Sequence, residues 1–195
     1  MNKRTTRLLL DMLLSIGLSV IIFLVILHGL QQFEYLSVAI SLIPLIWLSL
    51  RHGIPATIVA SAISGVLITY VNGQSQSLVS WMVPMLAVGV AGLFAKYTQK
   101  TLNNRRLSST YLNIITACLL AMIAVLVIKY LIIDGLLLQL HHMSWLQADF
   151  WIQVAIAWVI SSIILMSMAK LAPNLLIPKR SKFLSRKETS SLLND

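Results

Sequence analysis

The chain has 195 residues, of which 58% are hydrophobic and only 11% are charged, and its mean hydropathy is +0.86. Because about a quarter of the residues of a soluble domain are charged, this composition excludes an ordinary soluble protein and indicates an integral membrane protein. The formal net charge of +9 fits either a nucleic-acid partner or membrane topology, and the positions of the basic residues favour topology.

Six apolar segments are each long enough, or nearly so, to cross a bilayer, which takes roughly 20 residues of helix. They are separated by short polar clusters, and none shows the period-two alternation of a barrel strand. We therefore expect an all-α membrane protein, a six-transmembrane-helix bundle spanning residues 1–178, followed by a basic cytoplasmic tail at 179–195. The expected helices cover about 8–30, 36–50, 54–71, 78–97, 111–134 and 149–172.

The basic residues predict the orientation of the bundle, since lysine and arginine collect in cytoplasmic loops. All but one of the 15 lie in the two terminal regions or in the second and fourth loops, and the other three loops contain none. Both termini are thus expected in the cytoplasm. This sorting accounts for the net charge without nucleic acid, and it predicts contact with anionic membrane lipid.

The remaining basic residue, Lys129, lies inside the fifth apolar segment, about five residues from its outer end. Its long stem can carry the ammonium group to the membrane interface. Alternatively, an ionised side chain at this depth faces the bundle interior and marks a substrate path. Position alone leaves the two interpretations equal.

Polar and aromatic residues concentrate in the outer halves of the helices, which predicts a pocket open to the outside for a small, flat, polar ligand. Trp81 and Trp158 lie deeper than the expected interfacial belt and are candidates to line it. Small residues, Ser15, Gly17 and Ser19, recur on the first helix. Such residues allow close helix approach, either within the bundle or against another membrane protein.

Enzymatic signatures are missing from the sequence: it contains no phosphate-binding G-x-x-x-x-G-K-[ST] motif, no H-E-x-x-H and no G-x-S-x-G. Its single cysteine, Cys118, excludes an intrachain disulfide, and its four histidines lack zinc-ligand spacing. We expect no enzyme activity, no metal and no cofactor.

Three stretches carry a family resemblance: Ile43-Pro44, Ser49-Leu50-Arg51-His52-Gly53, and Ala87-Val88-Gly89-Val90-Ala91-Gly92-Leu93-Phe94. They resemble the corresponding stretches of the thiamine-specific S-components of energy-coupling factor transporters. The resemblance is strong from about residue 35 to 97 and looser beyond 110. It implies a multi-pass protein of the bacterial cell membrane that binds a small vitamin-like molecule near the outer face and hydrolyses nothing itself.

The same resemblance implies partners: a transmembrane coupling protein and two cytoplasmic ATPases. In the family, small residues of the first helix form the face that contacts the coupling protein. Ser15, Gly17 and Ser19 are the nearest match to the usual pair of alanines, so they are the expected partner interface.

Site residues are implied by position within the same family. An aromatic in the first outer loop corresponds to Tyr35, and a basic residue followed by tyrosine corresponds to Lys129-Tyr130. The family's acidic residue and tyrosine of the fourth helix correspond to Ser80 and Trp81. Further expected contacts are Asp134, Gln153, as the nearest amide of the sixth helix, and Trp158.

The missing carboxylate at Ser80 disfavours thiamine, because a buried cation without a partner costs several kcal/mol. A thiamine-related compound, such as a pyrimidine precursor or another small vitamin, is the leading expectation. The alternative is a membrane assembly subunit that binds no ligand and retains a degenerate site.

Overall fold

The computed structural model describes residues 3–29, 34–71, 79–137, 147–178 and 181–184, and these residues form helices and no strands. Within them, six helices are long and apolar enough to cross a membrane, judged by length and composition. The expected fold class, an all-α bundle of six spanning helices, is confirmed. The six spans are Thr5–Gly29, Tyr35–His52, Ile54–Val71, Ser80–Asn103, Leu107–Ile133 and Ala148–Leu171.

Several spans consist of more than one helical segment. In chain order the α-helices are α1 (Lys3–Gly29), α2 (Glu34–Ser41), α3 (Ile43–His52), α4 (Ile54–Val71), α5 (Val79–Leu86), α6 (Ala95–Asn103), α7 (Leu107–Leu126) and α8 (Ala148–Leu171). A 3₁₀-helix, Ala87–Phe94, joins α5 to α6, and a π-helix, Val127–Leu137, extends α7. A short 3₁₀ turn, Pro173–Leu175, follows α8.

The second span lies at the centre of the bundle. Of its most apolar window 72% is buried, against 28% for the first span. Pro44, at the start of α3, has no backbone N–H to donate, so it divides the span into α2 and α3 at the position where a proline is best tolerated. Leucines and isoleucines from both segments, such as Leu42, Leu45 and Ile46, are fully buried.

Glycines allow the fourth span to approach α4 closely. A Cβ built at Gly92 would lie 2.7 Å from the backbone nitrogen of Ile54, and one built at Gly65 would lie 2.6 Å from the Cα of Met82. Both distances are too short for any side chain. The backbone of α5 therefore packs directly on α4, which fixes the position of Trp81.

The C-terminal part of the fifth span continues into a π-helix of 11 residues, which contains Lys129 and Tyr130. This helix type is rare, and in other proteins it occurs mostly as single turns at functional sites. Because its turn contains more residues than an α-turn, it changes which side chains point at the bundle. Lys129, Tyr130 and Ile133 are all buried.

A polar cluster connects two spans and the segment after α8 at the end of the bundle where the first and last described residues lie, which we call the terminal end. Asp11 of α1 accepts hydrogen bonds from Arg51 Nε at 2.8 Å and from His52 Nε2 at 2.7 Å. Arg51 also donates to the carbonyl oxygens of Asn174, at 2.8 Å, and of Leu175. One guanidinium thus joins the first span, the second span and the segment after α8.

The end of α3 is also tied to residues 181–184. Gly53 ends the helix with a positive φ of 78°, which glycine adopts without strain, and its N–H donates to the carbonyl of Ser49. Gln99 Nε2 donates to the carbonyls of Leu50 and Arg51, at 2.8 and 2.9 Å. The Gln99 carboxamide oxygen accepts from Ser181, so α6 connects α3 to the C-terminal segment.

Candidate functional site

The intramembrane lysine points into the bundle. Lys129 is only 4% exposed, and its Nζ donates a hydrogen bond to Ser80 Oγ at 2.9 Å. Ser80 is equally buried, so this contact between the π-helix and α5 lies away from the lipid-facing surface. Of the two interpretations of Lys129, the structure shows the interior position. The pair lies roughly 30 Å along the fifth span from Leu107, far from the terminal end.

Trp81 forms a second contact with the same ammonium group. Lys129 Nζ lies 4.7 Å from the centroid of the Trp81 ring and 5.8 Å from that of Tyr130. Both distances are within the range of a cation–π interaction. The Trp81 side chain is 1% exposed, and its indole N–H has no hydrogen-bond partner among the described residues.

The position of Trp81 follows from its neighbours in α1 and α4. Its carbonyl oxygen would lie 2.8 Å from a Cβ at Gly65, and its ring meets Phe23 edge-on with the centroids 5.9 Å apart. Sequence reasoning missed Phe23, since a phenylalanine in an apolar helix is no more conspicuous than its leucine neighbours.

Three aromatic rings, one each from α2, the π-helix and α8, pack against one another, and one of them is Tyr130, the neighbour of Lys129. The ring centroids are 5.2 Å apart for Tyr35 and Tyr130, 5.1 Å for Tyr35 and Phe150, and 5.7 Å for Tyr130 and Phe150. All three pairs are edge-to-face, the arrangement that aromatic quadrupoles favour. Phe150 was not among the predicted site residues. Its spacing of three from Gln153, which places both on one helix face, is the signal that could have identified it.

Gln153 supports α2 from the neighbouring helix. Its side-chain oxygen Oε1 accepts a hydrogen bond from the backbone N–H of Leu36 at 3.1 Å. Leu36 is in the first turn of α2, where the N–H groups have no partner within the helix. The amide therefore fixes the start of α2, and with it the adjacent Tyr35, against α8.

One predicted site residue, Trp158, is not brought to this group, and another, Asp134, has a side chain that the structure does not describe. Trp158 donates its indole N–H to the carbonyl of Ile115 at 3.1 Å, which joins α8 to α7. It lies eight residues beyond Phe150, about 12 Å along the helix. Asp134 belongs to the π-helix, but its side chain lies outside the part of the chain that the structure describes.

The small residues of α1 face in different directions. Ser15 and Ser19 are fully buried, and Ser15 Oγ donates to the carbonyl of Asp11 at 2.8 Å. Gly17 is half-buried, and a Cβ added there would meet no atom within 4 Å. The two serines therefore do not lie on the lipid-facing surface, where the exposed side chains are apolar, such as Leu10 and Leu13. A partner contact through this stretch stays a prediction, with Gly17 as its accessible member.

The resulting group consists of a buried ammonium, a hydroxyl, an indole and three packed rings: Lys129, Ser80, Trp81, Tyr35, Tyr130 and Phe150. Hydrogen-bond donors and aromatic surfaces together suit the recognition of a small polar ring. Among the described residues, no group of three or more His, Cys, Asp or Glu is placed to hold a metal ion.

Comparison with protein-family models shows what the chain is related to. Residues 9–137 match the model described as thiamine transporter protein (Thia_YuaJ), and this match covers most of the chain. The chain belongs to the thiamine transporter family. Family membership confirms the resemblance seen in the sequence, and with the six apolar helices it shows a multi-pass membrane transport protein.

The fold agrees with a solved structure. The crystal structure of ThiT from Listeria monocytogenes superimposes with a TM-score of 0.62 at 19% sequence identity, and the match covers 91% of this chain and 100% of that one. At this identity the likeness concerns the fold. A sequence search of curated proteins found no match.

Proposed function

We propose that the chain is the substrate-binding S-component of an energy-coupling factor importer. It captures thiamine or a thiamine-related compound, such as a pyrimidine precursor or another small vitamin. It then delivers the ligand through an ATP-driven module made of a transmembrane coupling protein and two cytoplasmic ATPases. The thiamine transporter family supports the transport role, and the S-component resemblance supports the partners.

The Lys129–Ser80 contact is the single observation that carries a ligand site in this position. A lysine buried to 96% within a spanning helix is costly, and such residues are rare outside functional sites. Here the ammonium lies over the rings of Trp81 and Tyr130. If these helices only packed against one another, apolar side chains would be expected at these positions.

The site is proposed to open to the outside, with both termini in the cytoplasm. The described basic residues outside the site support this orientation, because they lie at the terminal end or beside it. They are Arg7, Arg51, Lys96, Lys100, Arg105, Arg106, Lys170 and Lys182. In a Cys118→Ser background, a membrane-impermeant maleimide should label Gln147→Cys in intact cells and leave Ser108→Cys unlabelled. The reverse labelling pattern would show that the terminal end faces the outside and would contradict the proposed orientation.

Binding is tested with purified full-length protein in detergent. Thiamine, thiamine monophosphate and 4-amino-5-hydroxymethyl-2-methylpyrimidine are titrated while tryptophan fluorescence is recorded. We expect saturable quenching by at least one compound, and we expect Trp81→Phe to remove most of it. Trp158→Phe is the matched control, because Trp158 lies about 12 Å along α8 from the aromatic rings, and it should keep the quenching.

A non-binding assembly subunit is the second candidate, and serine at the family's acidic position favours it. In that case none of the three compounds would quench the fluorescence or raise the melting temperature. The protein would still co-purify with a coupling protein and two ATPases. Loss of both ligand binding and co-purification would contradict the proposed S-component altogether.

A further inference from the structure

We propose that a water molecule is bound between the first, second and third spans, at the depth where Pro44 divides α2 from α3. Its hydrogen-bond partners are the hydroxyls of Ser19 and Ser61 and the backbone carbonyl of Ile40. None of these residues belongs to the candidate ligand site. The water site therefore does not depend on which compound the protein binds.

Two buried serines require a hydrogen-bond partner. Ser19 of α1 and Ser61 of α4 are fully buried, and neither hydroxyl has a partner among the described residues. One turn earlier in each helix, the hydroxyl bonds the carbonyl four residues before it: Ser15 Oγ donates at 2.8 Å and Thr57 Oγ1 at 3.0 Å. Ser19 and Ser61 make no such bond to their own helix. Because buried polar groups are nearly always hydrogen-bonded, both hydroxyls indicate a bound partner.

The two serines lie at the same depth. Phe23 of α1 packs edge-on against the ring of Trp81, and a Cβ at Gly65 of α4 would lie 2.8 Å from the carbonyl oxygen of the same tryptophan. Ser19 precedes Phe23 by four residues, and Ser61 precedes Gly65 by four residues. Each serine is therefore about 6 Å along its helix from the Trp81 contact.

The division between α2 and α3 lies at this depth as well. Asp11 of α1 contacts His52 at the end of α3, with 2.7 Å between Oδ2 and Nε2. Ser19 follows Asp11 by eight residues, and Pro44 precedes His52 by eight residues. Both are about 12 Å along their helices from that contact. Since α1, α3 and α4 all pack on one another, the two serines and the division of the second span come together.

Pro44 adds a backbone acceptor to the two hydroxyls. In a continuous helix the N–H of residue 44 donates to the carbonyl of Ile40, and proline has no N–H. Prolines within spanning helices are tolerated where hydroxyl side chains or ordered waters supply the missing hydrogen bond. A water that donates to this carbonyl and bonds both serines makes about three hydrogen bonds, which is typical of buried water.

Thermal unfolding of the full-length protein in detergent, without added ligand, tests the site. Ser19→Ala and Ser61→Ala each remove one partner of the water, so each should lower the melting temperature by about 2 to 4 °C. Because both substitutions release the same water, the double variant should lose little more than either single variant. Ser64→Ala is the matched control: it removes another buried, unpartnered hydroxyl of α4, about 4.5 Å farther along the helix, and should not lower the melting temperature.

Asparagine substitutions test whether the water has room. The amide of Ser61→Asn takes the place of the water, so this variant should unfold at a higher temperature than Ser64→Asn, which has no water to replace. The proposal is overturned if neither alanine variant is less stable, if their losses add, or if the two asparagine variants lose stability equally. A melting temperature that rises in sodium chloride over choline chloride, and only while Ser61 is present, would assign the site to a sodium ion instead. Each of these results leaves the proposed transport function intact.

Discussion

Gly65 of α4 and Trp81 of α5 meet through their backbones, and a Cβ on the glycine would lie 2.8 Å from the tryptophan carbonyl oxygen. Gly65→Ala would therefore push α5 away from α4 and move the indole that contacts Lys129. We expect a loss of stability of about 1 to 3 kcal/mol, as for other overpacked interiors. We also expect weaker ligand binding. A lower melting temperature in detergent and a reduced quenching amplitude would show both effects.

Gly17→Ala is the control for this substitution, because a Cβ there would meet nothing within 4 Å. It adds the same methyl group to a helix and should leave the melting temperature unchanged or slightly higher, since alanine is the better helix former. Equal losses in the two variants would contradict a specific contact between α4 and α5.

Asp11 holds α1 against α3 through Arg51 and His52. Asp11→Asn keeps the shape of the side chain and removes its charge. The carboxylate and the guanidinium are partly exposed, so we expect a loss of about 2 kcal/mol, between the values for surface and buried pairs. The melting temperature measures it. Asp149 is exposed and lies in the first turn of α8, so Asp149→Asn is the control and should cost less than about 1 kcal/mol. A loss of stability in this control as large as that in Asp11→Asn would contradict a specific role of the Asp11 contacts.

Gln99 joins the end of α3 to Ser181. Gln99→Met fills a similar volume but offers no hydrogen bonds, so the carbonyls of Leu50 and Arg51 lose their donor. We expect residues 181–184 to detach more often and trypsin to cleave near Lys182 several times faster. Electrophoresis of timed digests measures the rate. Gln147→Met, at an exposed position, is the control and should leave the cleavage rate unchanged. An unchanged cleavage rate in Gln99→Met would mean that residues 181–184 are held by other contacts.

Substitutions at Ser64 and Thr57 test how much two buried hydroxyls of α4 contribute to the stability of the protein. Thr57 Oγ1 donates to the carbonyl of Gly53 at 3.0 Å, whereas Ser64 Oγ has no hydrogen-bond partner among the described residues. Thr57→Val should cost about 0.5 to 1.5 kcal/mol. Ser64→Ala should be neutral or stabilising, because it removes a buried polar atom without a partner. A clear loss in Ser64→Ala would mean that a water molecule or a ligand binds this hydroxyl.

The fold was predictable because the bilayer imposes a simple length rule on apolar helices. The third expected helix, 54–71, coincides with α4, which begins after Gly53 and carries Pro55 in its first turn. The division of the second span into α2 and α3 was less apparent, since Pro44 interrupts an apolar run without changing its hydropathy. The π-helix also has no signature in the hydrophobic pattern.

The candidate site was predictable only in part, and mainly through family resemblance. The resemblance indicated Ser80, Trp81 and Lys129, and the structure places these three side chains in contact. It did not indicate Phe150, whose role depends on how α8 packs against α2. Asp11 shows the same limit at the terminal end: it lies 40 residues from Arg51 in sequence, and periodicity within one helix contains no information on such a distant partner.

Arg51 makes the terminal end of the bundle a mechanical junction. Its guanidinium binds Asp11 near the start of the described chain and the carbonyls of Asn174 and Leu175 beyond the last span. A force applied to α1 from the N-terminal side reaches this guanidinium through the Asp11 carboxylate. A force applied to the segment after α8 reaches the same group through two peptide carbonyls. Arg51 therefore couples α1 to the segment after α8, although more than 160 residues separate Asp11 from Asn174 in sequence.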